Sequence, residues 1–535
     1  MWVSVVAGLI VLASTLPYLA GCLAQTSQER FGGVVMNPVD YHSHLAKMWQ
    51  GYRGEWRYRL LFTPEEHEGV FVQTFYVALG HLARLFGLGL PLTYQLARVG
   101  FGFAMLLAVY RFIAHFVASV RTRQVAFLLA TTASGLGWLT EAIAPTPPGG
   151  VSPMGFWLSD GFTYLALLTS PHFCAVIGLL LVVSLLLLHR PDGPSLAEGM
   201  LAVAASLVLG VIHPYAMLLA DLLPVLYWAI EWLRARRVVW RGLATAAVMG
   251  VAQLPLLIYD LRVFRRPVFA GWSEQNVTLS PPLQVYQWGY GALLVLGGIG
   301  VVIHVRRREW RVAFPLFWIG LVAVLAHLPW NLQRRFLEGV QVPMGLLAGV
   351  GLAEGILPGL GLAEGLRRPG KKLRVCLRWL ALALVVALMA MSNLYMTTGL
   401  ALAAGKRAPA MFQSADLLAV VDWLGENSEW DDTVLSGFGT GNLIPARIGH
   451  RVVLGHWMET VNYEEKRAAV ARFYDAGTPD AERRELSEEW GVVYVFRGAE
   501  ERSLGDFDPA AAAWLNLAFQ SGDVAVYRVV LEEEP

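Results

Sequence analysis

The sequence predicts an α-helical polytopic membrane domain of about eleven spans followed by a small C-terminal α/β domain. Three observations lead there. Of 535 residues, 56% are hydrophobic and only 16% charged, with a mean hydropathy of +0.48, too apolar for a soluble globule of ordinary composition. Apolar runs of about 20 residues, the length that crosses a bilayer, recur along the chain to about residue 400. After about residue 405 charged residues return, and short β-rich runs alternate with helical patterns.

The apolar runs lie near 2–22, 94–118, 124–142, 171–188, 197–212, 214–232, 242–260, 286–304, 312–329, 335–356 and 375–398. His213-Pro214 divides one long apolar stretch, as two spans or as one broken helix. The first 21 residues lack the basic start of a secretory signal and end in Leu19-Ala20-Gly21-Cys22, similar to a bacterial lipobox. They are read as an uncleaved first span; lipidation at Cys22 would leave the rest of the chain starting outside the cytoplasm as well. Cys22, Cys174 and Cys376 have no metal-type spacing and suggest no disulfide framework. A formal net charge of +1 carries no signature of a nucleic-acid partner.

Orientation follows from the basic loops. Arg121-Thr122-Arg123, the stretch Arg234 to Arg241, Arg306-Arg307-Arg308 with Arg311, and Arg367 to Arg374 are expected in the cytoplasm. The spans place all four on one side, and put 23–93, 143–170, 261–285, 330–334 and the tail on the other. The expectation is a multi-pass protein of a bacterial-type cell membrane, with a membrane domain over 1–400 and an extracytoplasmic domain over 405–535. A span at 70–87 would break this parity. With Gln73, His81 and Arg84 on one helical face, that run is expected to lie along the outer membrane surface, burying Phe71, Phe75, Leu79, Leu82 and Phe86. The Pro/Gly stretch Pro145 to Gly155 reads as an external loop.

In the tail, strands are expected at Thr433–Phe438, Arg451–Gly455, Val492–Arg497 and Val524–Val530. Helices are expected near 411–426, 463–475, 480–490 and 509–519, giving an α/β sandwich with a mostly parallel sheet.

The densest polar cluster follows the first span, in Asn37-Pro38-Val39-Asp40-Tyr41-His42-Ser43-His44 and Phe62-Thr63-Pro64-Glu65-Glu66-His67-Glu68-Gly69. If Asp40 begins a helix, His44 lies one turn away on the same face. Such a pair takes a proton from an acceptor hydroxyl, with His42 or His44 assisting. Alternatively it holds a divalent cation, magnesium or manganese, together with Glu65, Glu66 or Glu68. The bland alternatives are a helix cap for Asp40 and an ordinary helix start at Pro64-Glu65-Glu66.

Further external candidates are Asp160 before Gly161, His172 at the entrance of a span, and His213 at the proline break, each a substrate contact or a turn and capping residue. Arg334 and Arg335 lie at the external end of a span, against the positive-inside tendency. The phosphate of a lipid carrier at headgroup level gives such arginines a purpose; contact with ordinary membrane lipids is the alternative. In the tail, Ser436-Gly437-Phe438-Gly439-Thr440-Gly441 lacks a complete nucleotide-binding fingerprint, whereas His456, Trp457 and Glu459 are placed to touch an acceptor or the membrane domain.

This layout resembles the GT-C superfamily of integral membrane glycosyltransferases: one span, a long external loop with an early acid, interfacial helices, many further spans and an external α/β tail. Local signs are Asp40 in Val39-Asp40-Tyr41-His42, the stretch Leu79-Gly80-His81-Leu82-Ala83-Arg84-Leu85-Phe86-Gly87 with Arg98 beyond it, and Gly449-His450-Arg451-Val452-Val453-Leu454-Gly455. The resemblance implies that Asp40 is a base or metal ligand, that the donor is a polyprenyl-phosphate sugar, and that Arg335 holds its phosphate. The tail is also similar to that of oligosaccharyltransferase catalytic subunits. Gly437-Phe438-Gly439 stands where their Trp-Trp-Asp acceptor motif would be, so peptide glycosylation is not implied. The rival expectations are a transporter or lipid flippase, which calls for ionisable residues deep in the spans and an internal repeat, and a GT-C scaffold without catalysis.

Overall fold

A computed structural model describes residues 1–144, 146, 151–359 and 371–530. Part of the loop expected at Pro145 to Gly155, and much of the basic loop from Arg367 to Arg374, lie outside the described residues. In chain order the first helices are α1 (Trp2–Ala24), α2 (Pro38–Arg53), α3 (Thr74–Phe86), α4 (Leu90–Phe116), α5 (Val120–Thr132), α6 (Gly137–Ile143), α7 (Thr163–Thr169) and α8 (Pro171–Leu188). They are followed by α9 (Leu196–Ile212), α10 (Pro214–Ala235), α11 (Trp240–Val263), α12 (Pro267–Gln275), α13 (Leu283–Arg306), α14 (Ala313–Leu325), α15 (Gln341–Val350), α16 (Leu357–Gly359) and α17 (Lys371–Gly405).

Among the described residues, eight helical segments are long and apolar enough to cross a membrane: α1, α4, α8, α10, α11, α13, Gln333–Ile356 and Leu380–Gly405. The pair α5 and α6 makes a ninth if its 49° bend lies within one span. All eleven apolar runs fold largely as helix, but α9 and Trp310–Leu325 are shorter than the rest. At 17 residues, α9 reaches about 25 Å, less than the hydrocarbon core. The chain is an integral membrane protein. His213 caps the end of α9 and Pro214 opens α10, so the proline break separates two helices.

The chain forms two compact units. One comprises Met1–Leu16, Leu96–Leu257 and Thr278–Leu400; the other comprises Pro17–Gln95, Ile258–Val277 and Ala401–Pro535. The second unit thus joins the first loop and residues 258–277 to the tail, where the sequence suggested a boundary near residue 400.

In the first unit α15 is buried along its whole length. Its Gly345 and Gly349 face Ala126 and Ala130 of α5, and a Cβ on either glycine would strike the α5 backbone. Small residues four apart on both helices permit this approach, the way helices pack where lipid is as apolar as leucine. Gln341, at the start of α15, accepts a hydrogen bond from Thr163 N at 2.7 Å and donates to Ala133 O. One buried amide thereby fixes the end of α5 and the start of α7.

In the second unit α2 and α3 touch through a reciprocal pair of glycines. A Cβ on Gly51 would meet Val77 O, and one on Gly80 would meet Met48 O. With 13 residues, α3 is about 20 Å long and too short to span. The expected apolar stripe divides: Leu79 turns into the unit with Tyr76 and Val77, whereas Phe71, Leu82 and Phe86 are exposed. The cause is α2, which covers the face carrying Gly80.

The tail adds α18 (Ala415–Asn427), α19 (Phe438–Ile448), α20 (Tyr463–Tyr474), α21 (Asp480–Glu489) and α22 (Ala499–Leu504). The strands are β1 (Glu29–Phe31), β2 (Phe412–Ser414), β3 (Thr433–Leu435), β4 (Arg451–Val452), β5 (Val492–Arg497), β6 (Leu515–Ser521) and β7 (Val524–Val529). β1 and β2 form a small antiparallel sheet, and the main sheet runs β4-β3-β5-β7-β6. Its β3–β4 and β3–β5 pairs are parallel; β5–β7 and β6–β7 are antiparallel, so the sheet is mixed. The helix expected at 509–519 is replaced by a short turn and β6. Ala510 to Ala513 favour a helix locally, but a tight turn at Gly522, with φ of 53°, folds β6 back onto β7 and long-range pairing wins.

Candidate active-site clusters

In the second unit the chain enters α2 through Asn37, at φ of 53°, and Pro38, which places Asp40 in the first helical turn. Asn37 occupies the cap position, so the carboxylate of Asp40 has another partner. Its side chain is 56% exposed, and its Oδ1 lies 3.3 Å from Nε2 of the buried His456. Nδ1 of His456 is 3.2 Å from the backbone N of Met458. A backbone N–H only donates, so Nδ1 is the acceptor and the ring proton sits on Nε2, directed at Asp40.

Behind this pair lies a buried network. Lys47 Nζ is 2.7 Å from Glu459 Oε1, Ser43 Oγ donates to the same oxygen at 2.7 Å, and the Tyr58 hydroxyl donates to Oε2. Burial pushes the Glu459 carboxyl up, but Lys47, His456 and the hydrogen bonds from Lys47 and Tyr58 outweigh it and hold the group down at about 2. The network fixes the turn carrying His456 against α2, three and seven residues beyond Asp40.

The histidines of α2 divide. His44 stacks on Tyr76 with centroids 4.0 Å apart and planes 11° apart; burial, with Lys47 adding to it, drives its imidazole well below the usual range. His42 lines a different cavity of about 650 Å³ with Gly33, Trp49 and Pro91, and burial lowers it to about 4. Both rings are neutral near pH 7.

The glutamates disperse. Glu65 is held by Lys466, whose Nζ is 2.5 Å from Oε1, and by Thr63. Glu66 is exposed, and Glu68, 85% exposed, faces Arg266 at 3.5 Å. The segment around Pro64 is irregular rather than a helix start. Among the described residues no three His, Cys, Asp or Glu side chains converge as metal ligands, so this donor set does not fit the divalent cation suggested for it. The glycine-rich turn at α19 likewise meets an internal anion: Glu500 accepts from Gly439 N at 2.7 Å and Thr440 N at 2.8 Å, and Glu501 from Gly437 N at 2.8 Å. The helix N-terminus that would attract a phosphate is occupied by carboxylates.

In the first unit a second cluster forms around the turn Gln333–Leu337. Arg335 Nη1 lies 3.0 Å from Asp160 Oδ1, with side-chain exposures of 21% and 5%. The Asp160 loop is itself held by Tyr290, whose hydroxyl donates to Gly161 O at 2.7 Å. Successive residues of a 3₁₀ turn diverge by about 120°, so Arg334 points elsewhere and rests over the Trp157 ring at 5.3 Å. His213 Nδ1 is 2.9 Å from Glu338 Oε2 and 2.7 Å from the Tyr215 hydroxyl, and the His172 ring packs edge-on against His213 at 5.0 Å.

The structure thus joins Asp40 to His456 and Glu459 in one unit, and Asp160, Arg335, His172 and His213 in the other. Lys47, Tyr58, Tyr215 and Glu338 were not foreseen. Glu338, 1% exposed, follows Arg335 by three residues, and an acid inside an apolar run was the available signal. Lys47 is one of only five lysines in the chain, four residues after Ser43.

No protein-family model matches the sequence, and no curated protein matches it. Solved structures do. The archaeal oligosaccharyltransferase AglB of Archaeoglobus fulgidus, in complex with an inhibitory peptide and a dolichol-phosphate, aligns with a TM-score of 0.53 at 14% identity, over 93% of this chain and 69% of that one. ArnT of Cupriavidus metallidurans, bound to undecaprenyl phosphate, aligns with a TM-score of 0.50 at 14% identity, over 98% of both chains. The mycobacterial arabinofuranosyltransferase AftD aligns with a TM-score of 0.55 at 15% identity over 98% of this chain, which spans only 40% of that protein. With its apolar helices and small mixed-sheet tail, the chain shares the fold of these three proteins.

Proposed function

We propose that the protein is a membrane glycosyltransferase that moves a sugar from a polyprenyl-phosphate donor to an acceptor outside the cytoplasm, in the cell envelope. The observation that carries this reading is the half-exposed carboxylate of Asp40, aimed by His456 and backed by the buried Lys47–Glu459 pair. An open acid on a rigid buried support is the form expected of a general base. The GT-C neighbours bound to dolichol-phosphate and undecaprenyl phosphate support a lipid-phosphate donor.

In the proposed step Asp40 accepts the proton of an acceptor hydroxyl as that oxygen bonds to the anomeric carbon. The bond from that carbon to the phosphate oxygen breaks, and the phosphate leaves with the bonding pair. Arg335, directed by Asp160, binds that phosphate in a fork, with Arg334, His172 and His213 as further substrate contacts. The basic loops in the sequence support a tail outside the cytoplasm, where a lipid-linked donor needs no nucleotide sugar.

Membranes containing the protein, supplied with radiolabelled polyprenyl-phosphate sugars, are expected to yield labelled product above that of membranes lacking it. No transfer from any donor of this class would overturn the reading.

A further inference from the structure

The first unit holds a second polar cavity, of about 730 Å³, at the C-terminal ends of α4, α8, α10 and α13. Along α8 it lies about 24 Å from His172, which sits at that helix's other end. Six arginines and three glutamates line it. Four of the arginines are neutralised locally: Arg190 by Glu198, Arg234 by Glu231, Arg237 by Asp192 and Arg307 by Glu354. Among the described residues Arg308 and Arg311 form no ion pair, and Arg308 adopts a left-handed backbone at φ of 56°. His304, 5% exposed, is held by Glu309 at 2.6 Å through Nδ1. His304 is among the residues lining the cavity, and its Nε2 is buried with no hydrogen-bond partner.

Arginines at helix C-termini and on cytoplasmic loops are common for reasons of helix dipole and topology, and those alone would leave them fanned into water. Here all six line one concavity, whose lining also includes Leu188, Tyr227, Trp228 and Val350. Two exposed arginines without an ion pair among the described residues, lining one cavity with apolar side chains, match the chemistry of a phosphate that has a hydrocarbon attached.

We propose that this cavity binds a phosphate group, with Arg308 and Arg311 as its forks. The phosphate comes either from an anionic phospholipid headgroup or from free phosphate. The proposal is independent of the sugar-transfer reading, because its test measures binding alone.

The purified protein and its R308A/R311A variant are incubated in detergent with phosphatidylglycerol, phosphatidylcholine or inorganic phosphate. Lipid retention is read by native mass spectrometry and phosphate binding by calorimetry. Both arginines are exposed, so an unchanged melting temperature is expected, and the single variant Arg311→Gln provides a milder comparison. The wild type is expected to retain phosphatidylglycerol over phosphatidylcholine, with affinity falling about tenfold or more in the double variant. Stronger binding of the lipid than of inorganic phosphate assigns the site to a headgroup; equal binding assigns it to a free anion. Failure of the wild type to bind either, or equal binding by wild type and double variant, would overturn the proposal.

Discussion

Lys47 and Glu459 stand 412 positions apart in sequence and meet at 2.7 Å, each 3% exposed. The pair fastens α2 to the turn that carries His456. Removing one partner of such a pair leaves a buried charge, at a cost of about 3–5 kcal/mol, whereas removing both costs far less. Lys47→Met and Glu459→Leu should each lower the melting temperature of the detergent-solubilised protein, and the double variant should regain part of the loss. Additive losses would mean that the two residues act separately.

The same carboxyl predicts a pH dependence. Its folded pKa, about 2, lies below the ordinary 4.5. A depressed acid stabilises the fold fully above the unfolded value, and that contribution fades as pH falls from 4.5 through about 2. The amount is on the order of 3 kcal/mol. Melting temperature should fall across this window in the wild type and fall less steeply in Glu459→Gln, which cannot titrate. Identical slopes would detach Glu459 from acid stability.

Arg335 and Asp160 bear on donor recognition. Arg335→Lys keeps the charge but loses the fork, so the donor KM should rise about tenfold with a smaller change in kcat. Asp160→Asn, which leaves the guanidinium undirected, should act in the same sense. An unchanged KM in both variants would remove this pair from phosphate binding.

Helix packing in the first unit gives a test within a single helix. A Cβ on Gly300 of α13 would strike the Leu347 backbone, whereas one on Gly298 meets nothing within 4 Å. Gly300→Ala should therefore destabilise by about 1–3 kcal/mol. Gly298→Ala should be neutral or stabilise by up to about 1 kcal/mol, through helix propensity. Thermal melts of the two variants should move apart; similar shifts would contradict the close approach of α13 to α15.

Much of the architecture was legible because membrane helices announce themselves by length and apolarity. The 70–87 run was excluded as a span by loop charge alone, and α3 is too short to cross. The failures have local causes. The alanine run before Trp514 reads as helix until β7 claims β6, and the glutamates after Pro64 look like a helix start or a cation site until Lys466 and Arg266 take two of them. At the site, Asp40 and His456 were readable as polar residues in exposed loops. Lys47 and Glu338 were not, because a buried polar group shows its partner only after residues far apart in sequence, here 412 and 125 positions, are folded together. Arg335 stood out by its position against the positive-inside tendency, but its pairing with Asp160, 175 positions away, was not legible.

The central claim is that the Asp40 carboxylate takes the acceptor's proton. Asn keeps the shape of the side chain and can still contact His456, but it accepts no proton. The most direct measurement is transfer of radiolabelled sugar from a polyprenyl-phosphate donor by wild type and Asp40→Asn at equal protein levels and equal melting temperature. The account predicts a fall in kcat of about 10²-fold or more, within the range typical of a lost general base, with donor KM little changed; transfer at the wild-type rate by the variant would contradict it.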